Sequence, residues 1–340
     1  MSPRSRRDFD PSANKNLLRR QWDAPILQAA VTSRGRKLTY FGLPGPAIED
    51  LLDWKDLLAT RTGVERLRSR APEHEEDLER HRRLLRNLLV NGISDGFQLL
   101  RGEIEDIILD GSDASGMFPM LNDHAPPARM RFLYDLVNLD FTGGVGYRDK
   151  HGESKRVRAI KKLFERQNGT GFVLLMTINV RDNLDDELTR YLHERGLRAD
   201  GDSAALLDWY AARSAGEKDC KLKAVIPLFI RHVAELHLFA CHAYPPVSYD
   251  GTGRNRMVHF AFDLTFEGGN FQAFSPQTTL DILRLPLMEV RSERLVFGRQ
   301  HDGFDYSCCG ERLRFLGPEL YSALLDGRAA DEGSGAAHER

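Results

Sequence analysis

Asp135-Leu136-Val137-Asn138-Leu139-Asp140-Phe141-Thr142-Gly143-Gly144 carries an apolar run directly into an acid and a pair of glycines. Extended back to Phe132 it reads FLYDLVNLD. Hydrophobic side chains stand at successive positions and only Asp135 and Asn138 interrupt them, which is the pattern of a strand covered on both faces. Parallel sheets bury both faces because each of their connections must cross over through a covering helix. The glycine-rich turn 142–146 follows at once, so polar side chains and bare backbone gather at the carboxyl end of this strand.

Working outward, the same alternation of short strand and amphipathic helix recurs on both sides. Residues 37–42 (KLTYFG) form a compact strand, and Leu43-Pro44-Gly45-Pro46 breaks it before Ile48, Leu51, Leu52 and Leu58 mark a helical stripe, with Pro46 in the first turn. Residues 63–67 (GVERL) are the next strand, and Leu78, Leu85, Leu88 and Leu89 share a helix face closed by Asn91-Gly92. Residues 96–100 begin a third strand. Downstream, Val157, Ile160 and Phe164 define a helix ending at Asn168-Gly169, and residues 172–180 (FVLLMTINV) form a further buried strand. Its helix is capped by Asn183, has Asp185, Asp186 and Glu187 at its positive end, and stops at Gly196. Five such units in series predict a doubly wound, mostly parallel α/β sheet.

The C-terminal part has a different period. Val258, Phe260, Phe262, Leu264 and Phe266 alternate with His259, Ala261, Asp263 and Thr265, which predicts a half-buried antiparallel strand. Asp250-Gly251-Thr252-Gly253 separates it from 236–247, so the two read as one long hairpin at a sheet edge. The expected organisation is a basic N-terminal arm or helix over 1–30, a Rossmann-like domain over 31–270, an extension packed on the core over 271–326 and a disordered tail over 327–340.

Composition narrows the function classes. With 41% hydrophobic and 29% charged residues, the 340-residue chain can bury a sizeable core, which excludes wholesale disorder and fibrous repeats. The longest apolar runs, 172–178 and 224–230, fall far short of the roughly 18 to 20 residues that span a bilayer, and residues 1–10 are too polar for a signal peptide. Four cysteines make no disulfide framework, and the expected setting is soluble and cytoplasmic. A net charge of −2 gives no global basic field, so any nucleic-acid partner must use a local patch. Cys308 and Cys309 lack the spacer a zinc pair needs, and His232, His237 and His242 recur every five residues, on neither a helix face nor a strand face. No metal is expected.

In an open parallel sheet, ligands lie beyond the carboxyl ends of the strands. Gly42 and Gly45, in the first strand-to-helix loop, let a ligand approach the backbone, or simply make a turn. Glu65 comes 23 residues after Gly42, near the spacing at which an acid meets ribose hydroxyls, or it is a solvated helix residue. Asp140 and Asn138 stand at the end of the central strand, where an acid accepts a hydrogen bond from an amino or hydroxyl nucleophile and orients its lone pair, or where Asp140 simply caps the following turn. Phe141 either stacks on a flat acceptor or packs against the helix at Val157.

Taken with the strand-helix alternation and the terminal hairpin, these residues make 37–266 resemble a class I S-adenosylmethionine-dependent methyltransferase. The resemblance implies a Rossmann-like methyltransferase fold and S-adenosyl-L-methionine as cofactor. It implies cofactor contacts at Gly42 and Gly45 (methionine part), Glu65 (ribose) and Glu103 (adenine), and an acceptor-facing set of Asp140, Asn138 and Phe141. Tyr40 stands where the family usually carries an acid and Pro44 where it carries a second glycine. The run at Asn138 is similar to the Asp-Leu-Asp-Pro-aromatic-Gly motif of tRNA guanine methyltransferases, with Asn138 replacing its first acid and Phe141 its proline.

Charge suggests the acceptor. Eight basic residues, from Arg148 to Arg166, face three acidic ones for a local net of +5, and the first twenty residues carry a net of +4. Both segments are expected to reach RNA or DNA phosphates beside the cleft, although solvated helix surfaces are also lysine-rich. Residues 61–86 interleave both signs and read as an exposed, ion-paired helix. No nucleophile elbow, phosphate-loop lysine or zinc-protease helix occurs. The expected function is methyl transfer to a nucleic-acid base. The alternatives are a catalytically inactive methyltransferase-like nucleotide-binding or scaffold subunit and, last, a nicotinamide-dependent oxidoreductase, for which the three-glycine fingerprint is missing. All of this supposes that the loops at Gly42 and Asp140 share one open rim.

Overall fold

A computed structural model describes residues 13–66, 73–117, 132–141, 154–167, 169–180, 188, 218–251, 256–268 and 277–298. The expected glycine turn at 142–146, the helix signalled from Asn183 to Gly196 apart from Leu188, Cys308, Cys309 and the tail at 327–340 lie outside these residues.

The N-terminal segment is helical. Helix α1 (Ala13–Leu17) passes into a π-helical turn (Leu18–Asp23) and then α2 (Ala24–Arg34), which ends on Gly35 in a left-handed conformation. Strand β1 (Leu38–Gly42) leads through the short α3 (Glu49–Asp53) to β2 (Leu58–Glu65), and α4 (Glu73–Val90) leads to β3 (Phe97–Arg101). After α5 (Ile104–Asp110) come β4 (Leu136–Asp140), α6 (Lys155–Arg166) and β5 (Phe172–Asn179). The last part holds α7 (Lys218–Leu236), β6 (Phe239–Ala243), β7 (Val247–Asp250), β8 (Arg256–Phe266), α8 (Thr279–Leu283), β9 (Met288–Arg291) and β10 (Arg294–Phe297).

The strands form one sheet in the order β10-β9-β7-β8-β5-β4-β1-β2-β3, with β6 also paired to β8. Strands β1 to β5 are mutually parallel. From β1 the chain winds outward to β2 and β3, then returns to the opposite side of β1 with β4 and β5. The order therefore reverses between β1 and β4, and a crevice opens there beyond the carboxyl ends. Strand β8 lies antiparallel between β5 and the pair β6 and β7.

Two hydrophobic layers sandwich the sheet. Phe41, Val137, Leu139, Leu174, Met176 and Phe262 face α5, α6 and α7, while Tyr40, Leu136, Leu175 and Ala261 face the N-terminal helices and α4 through Trp22, Leu27 and Leu84. The period of two places Asn138, Asp140, Thr177 and His259 on the second face.

Three expectations change. The stripe assigned from Ile48 to Leu58 is too long: α3 stops at Asp53, and Leu58 opens β2. The expected single hairpin arm over 236–247 is two strands, because the Pro245-Pro246 pair cannot continue a ladder. His259 and Ala261 are buried rather than solvated, because the N-terminal helices cover that end of β8. Strands β9 and β10, within the expected 271–326 extension, join the same sheet.

Candidate functional site

Strand register gathers the site. Gly42 of β1 is level with Asn138 of β4, and Asp140 of β4 is level with Thr177 of β5, which is level with His259 of β8. The loops at Gly42 and Asp140 are thus neighbours on one rim. Gly63 is level with Gly42, so Glu65, two residues on, projects to the same face.

The rim is not open at Asp140. Lys15 from α1 makes an ion pair with Asp140. Arg19, in the π-helical turn, pairs with Asp50 at 3.0 Å, with Asp53 at 3.2 Å and with Glu49. Asp23, one turn on, is 2.8 Å from His259 Nε2, whose Nδ1 lies 3.0 Å from the Thr177 hydroxyl. A cavity of about 10 Å³, room for about one water, remains among Lys15, Arg19, Asp50, Asn138, Asp140 and His259. The expectation of an open cleft is corrected here. It failed because Lys15 and Arg19, counted within the basic arm, turn inward onto the chain's own carboxylates.

Asn138 donates from its amide to Asp50 at 2.8 Å. Burial pushes the Asp50 carboxyl up; Lys15 and Arg19 pull it back without cancelling the effect. For Lys15, burial works against the charge, but Asp140 and Asp50 outweigh it and hold the ammonium above the ordinary lysine range.

Gly42 and Gly45 differ in role. A Cβ on Gly42 would stand 2.6 Å from both the Asn138 carbonyl and the Tyr40 hydroxyl, so its bareness serves strand packing rather than ligand approach. Gly45 has φ +62° and open space where a Cβ would be. Pro44 lies over Gly63, so the loop leans toward β2. Glu65 ends β2 almost buried, 3.5 Å from Arg80 of α4, and burial raises its carboxyl despite that partner. Glu103 precedes α5 and pairs with Arg66 at 3.0 Å.

Phe141 is the clearest correction. It is 2% exposed within the opposite layer, with the Arg156 guanidinium 4.4 Å from its ring centre. No acceptor can stack there. The basic stretch is also engaged where it is described: Lys155 pairs with Asp106, Arg156 with Glu105 and Lys162 with Glu165, and Arg166 donates to the Ile108 and Leu109 carbonyls.

Sequence reasoning missed Asp50, Thr177, His259, Asp23 and the inward turn of Lys15 and Arg19. A signal existed for one of them: the strict alternation over 258–266 marked His259 as facing away from Val258 and Phe260. No group of metal-binding side chains occurs among the described residues, nor a helix long and apolar enough to cross a membrane.

The strand order, with antiparallel β8 beside β5, is that of the class I methyltransferase fold. No family model matches the chain, and no curated protein does. Similar solved structures include P. horikoshii TYW2 in complex with MeSAdo, at 10% identity over 76% of this chain and 65% of that one, with a TM-score of 0.37. TomG, an O-methyltransferase from Streptomyces achromogenes in complex with SAM, matches at 10% identity over 71% and 79%, with a TM-score of 0.34. An O-methyltransferase family protein from Burkholderia thailandensis matches at 12% over 72% and 57%, with a TM-score of 0.31. The chain spans just under two thirds of the TYW2 length. Likenesses this distant carry no argument about activity, and the fold rests on the strand order.

Proposed function

We propose that this chain is an S-adenosylmethionine-dependent methyltransferase. The observation that carries the reading is the register of Gly42 with Asn138: it sets the Gly45 loop and the Asn138–Asp140 pair side by side at the reversal point of the sheet.

The residues present suit an adenosyl group at the β1–β3 end. Gly45 leaves open space above its loop, so the backbone there can receive the methionine part. Glu65 offers carboxylate oxygens to a ribose diol, and Glu103 stands at the next strand end for the adenine. The cofactor, when bound, supplies an electrophilic methyl carbon. The rest is positioning. Asp140 accepts a proton-bearing edge of the nucleophile and Asn138 fixes its other polar edge, once Lys15 has withdrawn. A nucleic-acid base as acceptor is the finer part of the proposal, and its support is the charge excess between Arg148 and Arg166 alone.

The second reading, a catalytically inactive nucleotide-binding or scaffold subunit, is favoured by one observation: Lys15 and Arg19 fill the acceptor end. Two experiments separate the readings. Mass spectrometry of protein purified without added ligand should find an adenosyl species under the first. Methyl incorporation into bulk RNA or DNA that is abolished by Asp140→Ala establishes the enzyme and its acceptor. Cofactor binding without incorporation into any RNA, DNA or protein leaves the scaffold.

A further inference from the structure

We infer that the Asp140 subsite is built for an ammonium group, and that Lys15 is a detachable internal occupant holding its place. The inference rests on the reading above only in taking this as the acceptor end; the binding chemistry stands by itself.

The N-terminal segment is anchored unevenly. The π-helical turn is pinned by Leu18 and Trp22, 2% and 0% exposed, by the buried Arg19 and by the Trp54 indole, which donates to the Arg19 carbonyl at 3.2 Å. Helix α1 has no buried residue. Its polar ties run from Lys15 to Asp140, from Asn16 to Arg19, and from Asn14 to the Asp250 carbonyl at 3.0 Å, and its one apolar anchor named in the second layer is the half-buried Leu17. Helical geometry changes from α to π at Leu18, between the loosely and firmly held parts, and π-turns of this kind often mark functional sites. Helix α1 can therefore turn outward there at the cost of uncovering Leu17, which is half-buried against the second layer, while the buried side chains of the π-helical turn stay in place.

What stays behind is anionic and enclosed. Asp140, Asp50 and Asp23 are 8%, 4% and 2% exposed, and Arg19, committed to Asp50, Asp53 and Glu49, is the other Lys or Arg among the described residues lining the cavity. The Tyr40 hydroxyl, wholly buried against Gly42 on the same face, has no well-formed hydrogen bond. A buried carboxylate deprived of its partner is strongly disfavoured, so Asp140 keeps a cation, and of the two cations at this end the one that reaches solvent is the more readily replaced by another. The Lys15 side chain is 27% exposed against 5% for Arg19, so Lys15 is the exchangeable cation. A ligand that presents an alkylammonium replaces its charge in kind.

The test uses the full-length chain, n-butylammonium as probe, n-butanol as its uncharged match and no adenosyl compound, so its outcome is independent of the cofactor reading. Calorimetry should show n-butylammonium binding to Lys15→Ala at least tenfold more tightly than to the unaltered chain, with n-butanol not bound and the effect lost in Lys15→Ala/Asp140→Asn. In the unaltered chain, saturating n-butylammonium should raise hydrogen exchange of the 13–17 amides about tenfold while those of α2 stay unchanged. Equal binding to both chains, binding of n-butanol as tight as of the amine, no exchange response, or failure of Lys15→Ala to fold would each make Lys15 a structural residue and overturn the inference.

Discussion

Lys15 and Asp140 lie 125 residues apart and meet as an ion pair over the crevice between β1 and β4. The contact joins a helix with no buried side chain to the strand whose sequence suggested the chemistry. Burial opposes the Lys15 charge, while Asp140 and Asp50 favour it more strongly, so its folded value is raised. A raised folded value means that the contact stabilises fully below the unfolded lysine value of about 10.4 and is lost as pH rises through the folded one. At pH 9, Lys15 should therefore react with an acylating reagent at least tenfold more slowly than the exposed Lys55, and Asp140→Asn should remove that protection. Peptide mass spectrometry reads both rates, and equal rates in the unaltered chain would deny the pair.

Asp135 ties the start of β4 to the start of β1. It is wholly buried and accepts from Arg36 at 2.6 and 2.9 Å and from the Thr39 amide and hydroxyl at 2.9 Å each. Asp135→Ala leaves the Thr39 donors unmatched while the half-exposed Arg36 turns to solvent, and should cost about 1–3 kcal/mol, the usual loss on leaving buried donors without a partner. Urea denaturation should show a lower midpoint with an unchanged slope.

Much of the fold was legible because strands covered on both faces leave apolar runs: β5 sits within a residue of its expected bounds, and β4 ends where expected at Asp140 but starts at Leu136, four residues after Phe132. Strand β2 was displaced, since Ala59-Thr60-Arg61-Thr62 carries no apolar period and Leu58 continued the stripe of the preceding helix by chance. The candidate site was half legible. Asp140 and Asn138 stand where the motif put them, but no local pattern records that Lys15 and Arg19 turn inward. Their partners come from α3 and β4, and such long-range pairing leaves no periodic trace. Phe141 failed for a related reason: its position one residue past β4 fixes its side of the sheet only once the sheet exists.

Gly42 and Gly45 should respond differently to alanine. Gly42→Ala drives a Cβ against the Asn138 carbonyl at 2.6 Å, a backbone clash within the sheet that should cost about 1–3 kcal/mol. Gly45→Ala meets no atom and suffers only its φ of +62°, about 1–2 kcal/mol. Adenosyl binding corrected for stability should fall in Gly45→Ala, whose loop faces open space. Thermal melts and calorimetry on the two variants check both statements.

Glu65 carries a pH signature. Burial raises its carboxyl and Arg80 only partly offsets that. Its contribution to stability is therefore full below the unfolded glutamate value of about 4.3 and declines as pH rises through the raised folded value. Glu65→Gln should remove that decline and be no less stable than the unaltered chain at pH 7. If the carboxylate holds a ribose diol, the same variant should bind S-adenosylhomocysteine about tenfold more weakly, the loss of a hydrogen bond to a charged group.

The most direct test is isothermal titration of S-adenosylhomocysteine into the unaltered chain and into Lys15→Ala. Saturable one-to-one binding to both is expected, since the adenosyl end at Gly45 and Glu65 is apart from Lys15. Absence of binding to either protein at millimolar ligand would contradict it.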